Sequence, residues 1–193
     1  MPSIGQALNE TFGDIDIYVF DQLLKGRFDS SRRVLDAGCG DGRNLQYLLA
    51  SGRECFGIDR KGDAIEDIRA LVARLAPQLP PSNFVTGEVD RMPWDDRSMD
   101  AVICSAVLHF AHDRDHFDRM VRELWRVLVP GGVFFARLAS TVGGVPSSGF
   151  TFVSSPDLLL DYTSRLGARL LDPIKTTVVH EQRAMTTWVM RKS

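Results

Sequence analysis

Two rhythms of apolar residues alternate along this 193-residue chain. Short contiguous apolar runs at 33–37, 55–59, 83–88, 100–105 and 133–138 read as strands buried on both faces. Between them, longer segments repeat apolar residues at spacings of three and four, the period of a helix with one buried face. Leu45, Leu48 and Leu49 mark a helix over 44–51, stopped by Gly52. Ile65, Ile68, Leu71, Val72 and Leu75 mark one over 63–75, and Pro77, Pro80 and Pro81 force a loop after it. Phe117, Val121, Leu124 and Leu128 mark a long helix over 114–128, broken by Pro130-Gly131-Gly132. Ahead of the first strand, Ile17, Phe20, Leu23 and Leu24 share one face of a helix over 16–25.

Strand and helix thus alternate through two thirds of the chain, which predicts a parallel sheet covered on both faces. The last third differs. A glycine- and serine-rich stretch (140–149) precedes a helix over 155–166. Two β-leaning runs follow, 169–179 and 183–191, close enough in sequence to pair as antiparallel neighbours at the sheet edge. No linker divides the chain, so 1–193 reads as one domain, with a helical segment over 1–30 and a lid or substrate loop over 139–156. Residues 1–15 are expected to be partly disordered or to close over the site.

Composition narrows the class. An apolar share of 44%, a charged share of 25% and a net charge of -2 suit a globular protein without the basic excess of a nucleic-acid binder. Cys39, Cys55 and Cys104 are odd in number and lack CxxC spacing, so the expected setting is reducing and cytoplasmic. No secretory leader is expected at the N-terminus, and no apolar run reaches the ~20 residues of a membrane helix. The expected state is monomer or homodimer, with neither nucleic acid nor membrane as partner.

The most informative segment is Val34-Leu-Asp-Ala-Gly38-Cys-Gly40-Asp-Gly42-Arg-Asn44, a strand that enters a glycine turn and opens a helix. Glycine permits positive φ and close approach of a ligand. A helix N-terminus adds unpaired N–H groups and a positive dipole end. Asp59 ends the second strand, placing a carboxylate where it can accept from both hydroxyls of a ribose. A nucleoside-bearing ligand at the carboxyl ends of the strands follows. A dinucleotide site (G-x-G-x-x-G) would need a third glycine where Arg43 stands. Asp36, at the strand end, would repel a pyrophosphate but suits the α-amino group of a methionine moiety. Both features favour S-adenosylmethionine over NAD.

These motifs resemble those of class I S-adenosylmethionine-dependent methyltransferases over nearly the whole chain. VLDAGCGDGRN and FGID are similar to the family's first two motifs, and FVTGEVDRMPW to its third-strand motif, with Glu88 where Asp is frequent. SMDAVICSAVLHF and ELWRVLVPGGVFFARL are similar to the fourth strand and to the helix, turn and fifth strand. GDGRN and Gly149-Phe-x-Phe152 resemble the small tellurite-resistance-type members. The resemblance implies an α/β Rossmann-like three-layer sandwich, its mostly parallel seven-stranded sheet carrying an antiparallel C-terminal edge strand. It places the backbone of Ala37, Gly38 and Gly40 against the methionine part and Asp36 towards the amino group. Asp59 would bind the ribose and Arg60 would flank the adenine. Glu88 and Val89 would hold the adenine, with Met92 packed nearby. Ser105 would sit beside the sulfonium, and Arg43 and Asn44 would orient cofactor or acceptor.

Other chemistry-bearing residues have bland readings. His109, His112 and His116 around Asp113 and Asp115 allow a metal site, but the spacing equally suits a polar helix start with an aspartate cap, and no metal is expected. His109 follows the fourth strand and is the candidate catalytic residue, as general base or pocket wall. Cys39 and Cys104 read as buried packing, as do Trp94, Trp125 and Trp188.

The implied reaction moves a methyl group from S-adenosylmethionine to a small-molecule thiol, chalcogen oxyanion, hydroxyl or carboxyl, releasing S-adenosylhomocysteine. Aligning the acceptor with the methyl group is the main task. Cys104-Ser-Ala-Val107 stands where nucleobase amino methyltransferases carry Asp/Asn-Pro-Pro-aromatic, which, with the lack of basic excess, disfavours a DNA adenine or cytosine amino methyltransferase. The alternatives are an NAD-dependent oxidoreductase and a non-catalytic S-adenosylmethionine-binding protein.

Overall fold

A computed structural model describes residues 3–144, 149–179 and 183–193. Two helices, α1 (Ile4–Phe12) and α2 (Ile17–Leu24), precede strand β1 (Arg33–Ala37). There follow α3 (Gln46–Ala50), β2 (Glu54–Asp59), α4 (Gly62–Leu75), β3 (Phe84–Thr86), β4 (Met99–Ser105), α5 (Arg114–Val127) and β5 (Leu128–Ala139). The chain ends with α6 (Pro156–Arg165), β6 (Arg169–Leu170), β7 (Lys175–Val179) and β8 (Arg183–Arg191).

The strands join one sheet in the order β3-β2-β1-β4-β5-β8-β6, with β7 also paired to β8. The pairs from β3 to β5 are parallel. The C-terminal strand β8 is antiparallel to β5, β6 and β7. The expected reversed strand is therefore present, but β6 and β7 share its outer side, so it is not outermost and the sheet has eight described strands where seven were expected. Pro173 lies between those two strands and has no N–H to give a ladder, so the run expected over 169–179 divides.

The apolar runs are continuous because successive side chains feed two layers. Val34, Cys55, Ile103 and Phe135 pack under α2, α3 and α4, beside Val19, Leu48, Ile65 and Ile68. Their neighbours Leu35, Phe56, Val102 and Phe134 pack under α5 and α6, beside Phe117, Leu124, Leu159 and Trp188. All three cysteines are buried and free, and burial pushes each thiol up.

Boundaries moved where local geometry intervened. The turn of Gly42 to Leu45 delays α3 to Gln46, and β3 ends at Thr86, its last ladder bond running from Gly87 N–H to Asp59 O. The helix before Pro130 ends at Val127, and β5 runs through the Pro-Gly-Gly segment, where the glycines exchange backbone bonds with Lys192. Helix α1 is an addition. Ser3 Oγ accepts from Gln6 N–H while Gln6 Oε1 accepts from Ser3 N–H, a capping box.

From β1 the sheet runs outward to β2 on one side and to β4 on the other. Loops leaving the carboxyl ends of β1 and β4 diverge at this reversal and leave a crevice between them.

Candidate functional site

The crevice holds a cavity of about 340 Å³. Its near wall is the turn after β1, where three glycines answer three different demands. Gly38 has φ 80°, and a Cβ there would stand 2.2 Å from Val107 Cγ2. Gly42, at φ 89°, lies against Ile68 and Leu71 of α4. Gly40, at φ 52°, faces open space, with nothing within 4 Å of a Cβ. Gly38 N–H and Cys39 N–H both donate to Ile58 O, which locks the turn to the end of β2.

Asp59 is positioned by that lock. Its Oδ2 accepts from Gly40 N–H at 3.0 Å and its Oδ1 from Lys61 N–H at 3.0 Å. Each oxygen retains a lone pair for a ligand hydroxyl. Arg60 and Lys61 continue the wall, and the Arg60 guanidinium lies 5.6 Å from the Phe110 ring centroid. Gly87, Glu88 and Val89 contribute from the β3 end, Ala106 and Val107 from the β4 end, and His112, His116 and Met120 from the segment entering α5. Ala106 has φ 63°, a left-handed value that a residue with a Cβ adopts at a cost of about 1 kcal/mol.

Beside the cavity lies a buried polar network. Asp36 is fully buried, and burial pushes its carboxyl up to about 7. Its Oδ2 accepts from Asn44 Nδ2 at 3.4 Å, while Oδ1 has no partner. Asn44 Oδ1 accepts from Asp16 N–H at 3.1 Å. Asp16, the cap of α2, is the hub. Its Oδ2 accepts from Ser105 Oγ at 2.7 Å and Arg137 Nη1 at 3.1 Å, with Arg43 Nη2 3.8 Å away.

The structure thus brings Gly38, Gly40, Asp59, Arg60, Glu88 and Val89 together around one cavity. Asp36, Arg43, Asn44 and Ser105 join the network beside it. Ala37 and Met92 do not reach the cavity; both are in the core under α5. Asp16 and Arg137 were missed in the sequence, and His112 and His116, read there as a polar helix start, line the cavity. An arginine inside an apolar strand was the available signal for Arg137.

His109 stands apart. It is buried between Phe110 and Phe150, with ring centroids 4.5 and 4.3 Å away. Its Nδ1 accepts from Ala139 N–H at 3.3 Å, and its carbonyl accepts from Thr151 and Phe152 N–H. Burial, then the charges of Arg183 and Arg137, push its imidazole down to about 4. Asp113 caps α5 by accepting His116 N–H. Among the described residues no three His, Cys, Asp or Glu side chains converge to hold a metal. Of the lid expected over 139–156, residues 145–148 lie outside the described ones.

A larger groove, about 850 Å³, runs between α2 and the β6–β7 connection. None of the glycine-loop residues lines it, so the smaller cavity, with its convergent polar groups, is the functional candidate.

The sequence profile of the methyltransferase domain matches residues 35–136, which span the glycine turn, Asp59 and most of β5. The chain belongs to the class I S-adenosylmethionine-dependent methyltransferases. This methyltransferase is 32% identical over 179 residues to the tRNA U34 carboxymethyltransferase of Methylococcus capsulatus, covering 85% of this chain and 53% of that protein. It is 32% identical over 103 residues to the phthiotriol/phenolphthiotriol dimycocerosates methyltransferase of Mycobacterium leprae, covering 53% of this chain and 36% of that protein. The chain therefore spans between a third and about half the length of these curated relatives. The structure of TehB from Haemophilus influenzae superposes with a TM-score of 0.74 at 19% identity, covering 96% of this chain and 66% of that one. The [4+2]-cyclase SpnF superposes with a TM-score of 0.70 at 18% identity, covering 90% and 80%. These two likenesses concern the fold, and one fold hosts different reactions.

The residues of the methyltransferase suit its cofactor. The unpartnered Asp36 Oδ1 suits a cationic amine, the spare lone pairs of Asp59 suit a diol, and the open face of Gly40 leaves room for backbone contact. No helix among the described residues is long and apolar enough to cross a membrane.

Proposed function

We propose that this chain transfers a methyl group from S-adenosylmethionine to a small-molecule acceptor by in-line displacement. The observation that carries this reading is Asp59, held by Gly40 and Lys61 N–H groups on the wall of the cavity. In this reading Asp59 binds the ribose hydroxyls, Arg60 flanks the adenine, and Glu88 and Val89 hold its edge and face. Gly38 and Gly40 lie along the methionine part, with Asp36 towards its ammonium. Arg43, Asn44 and Ser105 keep Asp36 and Asp16 in place. When bound, S-adenosylmethionine supplies a methyl group on a positive sulfur, and S-adenosylhomocysteine leaves.

The protein's own task is alignment and exclusion of water. His109 supports this division of labour. Its Nδ1 is occupied by Ala139 N–H and its imidazole favours the neutral form, so the ring serves to pin the end of β5 rather than to take a proton. An acceptor that arrives ionised needs no base, which favours a thiolate, a chalcogen oxyanion or a carboxylate over a neutral hydroxyl.

Release of S-adenosylhomocysteine is to be followed with thiols, selenols, tellurite, carboxylic acids and bulk tRNA in parallel. The tRNA carboxymethyl transfer and the phthiotriol/phenolphthiotriol dimycocerosates methyl transfer named for the relatives make the tRNA arm, and an added arm with a hydroxylated acceptor of that kind, necessary. Turnover with a small ionised acceptor is the expected result. Turnover with tRNA alone would overturn the acceptor class. Cofactor binding without turnover on any acceptor would leave a binding protein.

A further inference from the structure

Strand β5 carries an arginine where its neighbours in the strand are apolar. Arg137 stands in register with Ser105, the last residue of β4. A charge at this depth needs a counter-ion, and the start of α2 supplies one in the Asp16 carboxylate. Asp16 Oδ2 accepts from Arg137 Nη1 at 3.1 Å and from Ser105 Oγ at 2.7 Å, and Arg43 Nη2 lies 3.8 Å away. Two guanidinium groups thus share one carboxylate oxygen. The other, Oδ1, is spent on Tyr18 N–H at 2.9 Å, the cap of α2. This contact leaves Arg137 with capacity to spare. Its Nε is buried without a partner among the described residues. The Tyr18 ring, its centroid 5.0 Å from the guanidinium carbon, steadies the group from one side. The arginine side chain is 14% exposed where that of Asp16 is 1% exposed, so Arg137 is within reach of a ligand.

We propose that the Asp16 carboxylate occupies the subsite of the acceptor's own carboxylate, and that Arg137, with Ser105, selects an acceptor that bears one. This rests on the methyl-transfer reading, in which Ser105 sits beside the sulfonium. A guanidinium recognises a carboxylate best when two N–H groups meet its two oxygens. Asp16, tethered to α2, meets one N–H group with one oxygen. An acceptor carboxylate is free of that tether and can engage two, so it displaces Asp16 and frees the first turn of α2. A thiolate or a neutral acceptor without a carboxylate leaves the fork unfilled. The cofactor carries a carboxylate as well, but its methionine part is read along the turn after β1. Arg137 is two strands from β1, across β4, about 10 Å at the ordinary strand spacing. The subsite therefore belongs to the acceptor, and Arg137 is a specificity-determining residue.

The test is an NMR titration with acetate, and with acetamide as its uncharged counterpart, read at the Arg137 Nε–H and Ser105 amide signals. It is run on the ligand-free protein and on protein saturated with S-adenosylhomocysteine. Asp16→Asn keeps an oxygen for the cap of α2 and removes the rival charge. It is expected to bind acetate about tenfold more tightly than the wild type, and acetamide no more tightly. Adding Arg137→Gln to Asp16→Asn is expected to abolish acetate binding, read at Ser105. Acetate and S-adenosylhomocysteine are expected to bind together. Equal acetate affinity in the wild type and Asp16→Asn, or acetate binding that survives Arg137→Gln, would overturn the inference. Competition between acetate and S-adenosylhomocysteine would also sink it, by assigning the subsite to the cofactor's carboxylate. Should Asp16→Asn fail to fold, Asp16→Ser, which retains a capping oxygen, serves the same comparison. Failure of S-adenosylhomocysteine to bind would overturn the methyl-transfer reading instead, a separate result, because acetate reads Arg137 in the ligand-free protein.

Discussion

Asp36 and Asp59 are two acids of one site with opposite surroundings. Asp59 spends its charge on backbone donors, so Asp59→Ala is expected to weaken S-adenosylhomocysteine by about 10- to 100-fold, consistent with losing charge-assisted hydrogen bonds of about 1.5–3 kcal/mol. Calorimetry reads this directly. Asp36 is a buried carboxyl with one oxygen unpartnered. Asp36→Asn removes the burden of an ionised buried group at pH 8. It is expected to stabilise the ligand-free protein by roughly 2 kcal/mol, a rise in thermal midpoint of about 4–8 °C for a chain of this size, while weakening cofactor binding. A lowered midpoint together with unchanged binding would refute the reading of this residue.

At the scale of elements, one side chain ties the start of α2 to both β4 and β5. Asp16 bonds to Ser105 at the end of β4 and Arg137 near the end of β5, and its backbone N–H to Asn44. Asp16→Ala leaves Arg137 poorly compensated and is expected to lower unfolding free energy by about 3 kcal/mol in denaturant titrations. Helix α1 has no buried residue, so its amides are expected to exchange far faster than those of α4 or α5. The same contrast explains what was legible in the sequence. Strands β1, β2, β4 and β5 bury both faces, and α4 and α5 bury regular stripes, so periodicity marked them. Helix α1 has no fully buried residue and left little beyond its Ser3–Gln6 cap as a signal. Gly38, Gly40 and Asp59 announced themselves because turn chemistry is local. Asp16 did not, since its partners Ser105 and Arg137 are 89 and 121 positions away. His112 and His116 were visible as a pair, but only the fold aims them into the cavity.

For the molecule as a whole, two buried groups set opposing pH responses. The carboxyl of Asp36 is raised from 3.8 to about 7, so its contribution to stability is full below 3.8 and is lost as pH rises towards 7. The imidazole of His109 is lowered from 6.5 to about 4, so its contribution is full above 6.5 and is lost as pH falls towards 4. Between pH 4 and 7 the two trends offset each other. Urea midpoints of the wild type are expected to vary little from these groups in that window. Asp36→Asn is expected to lose stability on acidification, and His109→Gln to gain it. Parallel curves for all three proteins would contradict the burial argument.

The place of β8 also orders events during synthesis. Strands β6 and β7 leave the ribosome before β8, the strand both must pair with, and β8 inserts between them and β5. Until it arrives, the growing chain presents β5 as an open edge, with Phe134 and Phe135 lacking the Trp188 and Val189 that will cover that side. Such an edge invites pairing with other chains. The nascent protein is thus most exposed to misassembly just before its reversed strand emerges, and slowed translation of residues 183–191 would lengthen that interval.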